Sequence, residues 1–254
     1  MKVIKNVRHV GVNGVILKNG ERAIQEIRIK PYIDEEFLGT VGGTLPMPWA
    51  KDLHNTATGA PTGDYVADAR WGHYDLTLTT DNEAEAAQLT FANQLMIPAE
   101  VGLVFETHII PRVAVPAAAG TQLFWIGLGD NHTNAEDALS ATRVGFSIAG
   151  GADLKVDVDD NTTDNTDVDT TVDLVVGTRV GLRIEVRSLS EVAFWTSDAA
   201  AGVGDNWIKR TTASISALAA NTLWQPQFIV GKTSGAAALS FDIEHCHVYH
   251  DDDR

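Results

Sequence analysis

Thr121-Gln-Leu-Phe-Trp-Ile-Gly-Leu-Gly-Asp130 is a short apolar run closed by Gly and Asp, and the next hundred residues repeat its grammar. Ala141-Thr-Arg-Val-Gly-Phe-Ser-Ile148, Arg179-Val-Gly-Leu-Arg-Ile-Glu-Val-Arg187, Glu191-Val-Ala-Phe-Trp-Thr196 and Leu223-Trp-Gln-Pro-Gln-Phe-Ile-Val230 follow in order, with an acidic turn at 157–169 between the first two. Apolar or alternating runs of this length, bounded by turn formers, read as strands of a sandwich. No stretch carries a comparable helical period.

Working outward, Tyr74-Asp-Leu-Thr-Leu-Thr79 alternates cleanly and Ala86-Ala-Gln-Leu-Thr-Phe91 follows as a further strand. Val101-Gly-Leu-Val-Phe-Glu-Thr-His-Ile-Ile-Pro111 is nearly continuous, the mark of a central strand. Alternation puts Val104, Glu106 and His108 on one face and Phe105, Thr107 and Ile109 on the other. Ala238-Leu-Ser-Phe-Asp-Ile-Glu-His-Cys-His-Val-Tyr249 is the final strand. Asp34–Gly39 reads as a first short strand or turn, 40–63 as a long contact-forming loop, and Asn206-Trp-Ile208 as the end of a turn. About twelve to fourteen strands result, enough for two packed antiparallel sheets. The expected fold is an all-β, two-sheet antiparallel jelly-roll sandwich over 32–254, preceded by an N-terminal β extension over 1–31.

That extension holds an Asn13-Gly14 hairpin signal and most of its own charge is positive. Lys2, Lys5, Arg8, Lys18, Arg22, Arg28 and Lys30 stand against Glu21 and Glu26. It is either a solvated extension or an arm that docks on a neighbouring subunit. The rest of the chain is acidic, and the whole carries a formal charge of -15. Such a surface is unsuited to nucleic acid or anionic membrane, which reward Lys and Arg. Cys246 is the one cysteine, so no intrachain disulfide framework exists. No apolar run is long enough to span a membrane and the N-terminus lacks a signal-peptide core, so a soluble product without an export signal is expected.

The candidate sites each have a plainer account. The 157–169 turn is rich in hard oxygens, yet Thr162 and Val168 occupy the positions where a calcium loop needs Gly and Glu. In Lys155-Val-Asp-Val-Asp159 the valines point inward and the aspartates outward, as in a solvated hairpin. Gly231-Lys-Thr233 imitates the end of a phosphate loop, but Pro226 replaces the upstream glycine and no helix follows. His245 and His247 share a strand face, half of a metal site, with Cys246 turned the opposite way and His250 nearby. Glu106, Glu185, Asp242 and Glu244 are the strand carboxylates from which a glycosidase pair would be drawn, but a third acid and aromatic subsites are not evident. Trp125, Trp195 and Trp224 lie inside strands and read as packing residues, and Trp49 with Met47 as packing on the sandwich. No catalytic, cofactor-binding or metal residue is assigned, and no cofactor is expected.

The order of segments carries a further signal. Gly72-His-Tyr-Asp-Leu-Thr-Leu-Thr-Thr-Asp-Asn-Glu-Ala-Glu-Ala-Ala-Gln-Leu-Thr-Phe91 leads to Leu103-Val-Phe-Glu106, Phe124-Trp-Ile-Gly-Leu-Gly-Asp130 and Val144-Gly-Phe146. Val180-Gly-Leu-Arg-Ile-Glu185, Val192-Ala-Phe-Trp195, Leu223-Trp-Gln-Pro-Gln-Phe-Ile-Val-Gly-Lys232 and Leu239-Ser-Phe-Asp-Ile-Glu244 complete it. Over about residues 34–250 this resembles the concanavalin A-like (laminin G-like) jelly-roll proteins of tailed bacteriophage particles. The resemblance implies a non-enzymatic virion protein, made in the host cytoplasm and placed on the capsid surface. The implied role is that of a capsid decoration, or cement, protein. Its implied partners are the major capsid protein and two further copies of itself in a homotrimer, with glycans for a head-fibre or tail-spike variant. No nucleic acid or membrane partner is implied.

Overall fold

A computed structural model describes residues 31–67, 72–94, 97–114, 122–131, 139, 141–148, 151–160, 164–197, 206–214, 222–236 and 238–251. The basic arm therefore lies outside the described residues apart from Pro31.

Sixteen strands and no helix occur among the described residues. The first sheet runs β14 (Trp207–Ser214), β13 (Glu191–Ser197), β12 (Val180–Ser188), β7 (Leu103–Pro111), β16 (Ser240–His250), β4 (Tyr74–Thr77), β3 (Thr62–Tyr65), and β1 (Pro31–Glu35) also pairs with β16. The second runs β11 (Asp164–Asp173), β10 (Asp153–Asp160), β9 (Thr142–Ile148), β8 (Gln122–Gly129), β15 (Leu223–Lys232), β5 (Glu85–Thr90), β2 (Ala50–Asn55), with β6 (Ile97–Pro98) beside β15. Every pairing is antiparallel. The all-β sandwich read from the sequence is the fold.

The core forms between the sheets, from alternate residues of each strand. Leu103, Phe105 and Ile109 of β7 and Val180, Leu182, Ile184 and Val186 of β12 meet Phe124, Ile126 and Leu128 of β8 and Trp224, Phe228 and Val230 of β15. Aromatic pairs bridge the layers: Phe124 stacks on Phe241 at 4.0 Å, and Phe146 meets Phe194 edge-on at 5.4 Å. Each such side chain removed from water contributes roughly 1.5–3 kcal/mol. Trp49 belongs to this core, edge-on to Phe91 at 4.7 Å, whereas Met47 stands in solvent. The packing expected of Trp49 holds, and that of Met47, which is 87% exposed, does not.

Two elements depart from the sequence expectation. The 40–63 loop contains β2 and the start of β3, and 206–208 opens an eight-residue strand, β14. Both β2 and β14 are the outermost strands of their sheets. In β2 the less exposed positions are Ala50, Asp52 and His54, while Lys51 and Leu53, the register partners of the core residues Leu89 and Ala87, are exposed. An edge strand has one paired side only, and a polar edge blunts unwanted pairing, so it lacks the apolar alternation of a central strand.

Candidate functional site

The side of the first sheet turned away from the core is polar, and register explains how distant residues meet there. One row across five strands reads His245, His108, Gly181, Ser197, Trp207. The next reads Asp34, His247, Glu106, Arg183, Trp195, Lys209. Gly181 is what lets the first row close up. A Cβ there would lie 2.2 Å from Ser197 Oγ and 2.8 Å from His108 Nε2. The rings of His108 and Trp207 approach to 6.0 Å over it.

The row also depends on a β-bulge in β16. Ile243 pairs with Ile109 and His245 with His108, so Glu244 is an extra residue without a partner on β7. Ile243 and Cys246 both remain in the core. Simple alternation would separate the acids Asp242 and Glu244 from the histidines His245 and His247. The bulge brings all four to one face, as bulges re-aim side chains. Cys246 does point the opposite way, and burial pushes its thiol well up.

Each of the four strand carboxylates has a cation against it. Arg183 reaches Glu106 with Nη1 at 2.6 Å and Glu185 with Nη2 at 2.8 Å, and Arg187 Nε is 3.2 Å from Glu185. Tyr249 also donates to Glu106. Arg179 Nε bonds Glu244 Oε2, and Arg112 Nε lies 3.1 Å from Asp242 Oδ2. His73 bridges the two, with Nδ1 3.1 Å from Asp242 and Nε2 3.4 Å from Glu244. Hydrogen bonds to Asp242 and then Glu244 raise the His73 imidazole to about 9, against the opposing effect of burial. Burial works to raise the Glu244 carboxyl, yet the bonds from His73 and Arg179 outweigh it and hold Glu244 below the usual carboxylate range.

A third acid, absent from the strand reading, comes from β4. Asp75 is the register partner of Asp242 and accepts hydrogen bonds from the hydroxyls of Thr77 and Ser240. Burial raises its carboxyl, opposed by those two hydroxyls. Aromatic groups are also present. Arg183, Glu185, Trp195 and Trp207 line an open cleft of about 200 Å³, and Arg187 lies over the Trp195 ring at 5.5 Å. Among the described residues Trp195 Nε1 has no hydrogen-bond partner. Trp195 is thus a face residue, while Trp125 and Trp224 are fully enclosed.

The remaining sequence candidates resolve individually. Val156 and Val158 are buried, and Arg143 of β9 bonds both Asp157 at 3.0 Å and Asp159 at 2.8 Å. A side-chain cation thus balances that pair of aspartates. Gly231 and Lys232 end β15 rather than a phosphate loop, and Lys232 is fully enclosed. His250 Nε2 lies 2.7 Å from the Val101 carbonyl, away from the other histidines. The half-site His245 and His247 gains His108 from β7. Its Nδ1 is 3.3 Å from His245 Nδ1 and 3.1 Å from Nε2. Burial, followed by His108, His247 and Arg179, drives the His245 imidazole down to about 2, so it is neutral.

No family model and no curated protein matches this chain. Solved structures do. The GH16 of the Bacteroides ovatus mixed linkage glucan PUL, in complex with its G4G4G3G product, superposes with a TM-score of 0.55 at 8% identity, over 85% of this chain and 99% of its own. An immunostimulatory antigen and pseudo β-1,3-glucanase of Mycobacterium tuberculosis gives 0.54 at 14% identity, over 87% and 99%. Lectin UEA-II complexed with galactose gives 0.53 at 10% identity, over 87% and 99%. The chain has the concanavalin A-like jelly roll shared by these lectin and glycosyl hydrolase structures; at such identities the likeness concerns the fold.

Proposed function

We propose that this chain is a non-enzymatic structural protein of a tailed-bacteriophage particle, a capsid decoration protein that bridges neighbouring major capsid subunits. The observation that carries the non-enzymatic part is the charge pairing on the first sheet. Glu106, Glu185, Asp242 and Glu244 are each held by arginine or histidine. A glycosidase needs one carboxyl kept protonated beside one kept ionised, both open to substrate. Here Glu244 is pushed toward ionisation, and Asp75, the raised carboxyl, is occupied by two hydroxyls. The virion assignment rests on the order of sequence segments and on the jelly roll they form. In this reading the protein sits on the capsid surface as a homotrimer and the basic 1–31 arm contacts the shell or a neighbouring copy. Many weak contacts repeated over a lattice add up through multivalency. Quantifying this protein in purified particles against the major shell protein tests it. Near-stoichiometric copies are expected, and complete absence from particles sinks the assignment.

A second reading, a carbohydrate-binding head-fibre or tail-spike component, is favoured by the Trp195–Trp207 cleft. An indole face beside paired guanidinium and carboxylate groups offers an apolar platform and hydrogen-bond partners together, as sugar rings require. At about 200 Å³ it suits one sugar ring rather than a long chain. Trp207→Ala is expected to abolish any glycan-array signal of the intact protein. A signal that survives this change and Trp195→Ala places the glycan elsewhere.

A further inference from the structure

We propose that His108, His245 and Glu244 form a binding site for a divalent transition-metal ion of the zinc class, on the core-distal face of the first sheet. The site does not depend on the particle role proposed above. One nitrogen from each histidine and one oxygen of Glu244 all lie within 4.8 Å of one another. The nitrogen pair is the stronger evidence. Two imidazoles bound tetrahedrally at roughly 2.0–2.1 Å from zinc stand about 3.3 Å apart. His108 Nδ1 lies 3.3 Å from His245 Nδ1 and 3.1 Å from its Nε2, so either ring nitrogen of His245 stands near that spacing.

The fold builds this arrangement from both strands. Register places His108 opposite His245, and the bulge adds Glu244 to the same face. The rings are braced laterally: His245 lies 4.4 Å from the His247 ring, and His108 lies 6.0 Å from Trp207. Thr107 Oγ1 donates to the His245 carbonyl and ties the backbone of the two strands together. Arg179 bonds Glu244 Oε2 and His73 Nε2 stands 3.4 Å from Oε1. Groups that orient a ligating carboxylate from behind are a regular part of metal sites. Binding requires His73 to yield Oε1 while Arg179 keeps Oε2.

The donor set selects the ion. Two imidazoles and one carboxylate suit zinc, copper, nickel or cobalt, whereas calcium and magnesium take oxygen ligands. Three protein donors leave a fourth tetrahedral position for water. A competing cluster, His247 with Asp34 and Glu36, has His247 Nε2 3.0 Å and 3.1 Å from their oxygens. It is more exposed and carries a single imidazole.

The untagged full chain, stripped with chelator, is titrated with Zn²⁺ by calorimetry and with Co²⁺ by visible absorption. One equivalent of Zn²⁺ is expected, displacing Co²⁺ from a site whose d–d bands report tetrahedral nitrogen and oxygen ligation. Loss of an outer partner in known sites weakens metal binding roughly 10–100-fold. Loss of a ligand in His245→Ala or His108→Gln is expected to exceed that, while His247→Ala leaves affinity within a few fold. The two ligand variants sit on different strands, so either folded variant decides the matter. Absence of saturable binding overturns the proposal, as does binding that survives both ligand changes or disappears with His247→Ala.

Discussion

Lys232 and Glu85 are register partners at the end of the second sheet, and both side chains are sealed from solvent with Nζ 3.3 Å from Oε2. The ammonium also donates to the carbonyls of Thr79 at 2.7 Å and Asp81 at 2.6 Å. Two carbonyl hydrogen bonds and one ion pair thus surround the buried ammonium. The cation thereby pins the 79–83 turn onto the last residue of β15 and the first residue of β5.

Removing one member of such a pair leaves the other charge buried alone, at a cost of about 3–5 kcal/mol. Lys232→Met is expected to lose that much stability in chemical denaturation. Lys232→Met combined with Glu85→Gln should recover part of it, because the stranded charge disappears. A double variant no more stable than the single one would show that the carbonyl contacts, not the ion pair, dominate.

Asp75 sets a pH dependence of opposite sense to that of a salt-bridged acid. Burial raises its folded carboxyl above the unfolded value, so ionisation opposes folding. Its contribution is fully favourable below the ordinary carboxylate range and is lost as pH rises through the raised folded value. Asp75→Asn keeps an acceptor for one hydroxyl and offers a donor to the other. The variant is expected to melt higher than the parent at neutral pH, with the gap closing on acidification. Thermal melts across the acid-to-neutral range check this; a gap that widens toward acid pH contradicts it.

Gly181 is the third test. Its Cβ would enter the space that Ser197 Oγ and the His108 ring occupy. Overpacking of this kind costs about 1–3 kcal/mol. Gly181→Ala should destabilise by that order, and adding Ser197→Ala should return part of the loss. Unfolding curves for the single and paired variants measure both effects.

How much of this was readable beforehand follows from what strand alternation encodes. Along β7 it assigned Glu106 and His108 to one face and Phe105 and Ile109 to the other, as found, because a central strand alternates without interruption. It could not see β2 or β14: in β2 the polar Asp52 and His54 are half-buried, while Leu53, on the core side, is exposed. Nor could it join His108 to His245, since 137 residues separate them and pairing is set by sheet order. The acids and histidines of β16 were separately visible; their meeting was hidden by a bulge that no local residue type announces. At Lys232 the local spelling imitates a phosphate loop, which the missing glycine and helix already excluded, but only the strand context reveals a buried counter-ion.

The extra residue in β16 has a consequence for how the gene can vary in length. Counting without Glu244, the order Ile243, His245, Cys246 is already in, out, in, so the strand on either side keeps its phase. Loss of that one codon would leave the core register untouched and delete a single carboxylate. The same loss at Cys246 would turn every downstream side chain over, carrying Val248 out of the core and Tyr249 into it. Position 244 is thus a place where a deletion spares the phase of the strand, and where this face can lose a charged group in one genetic step.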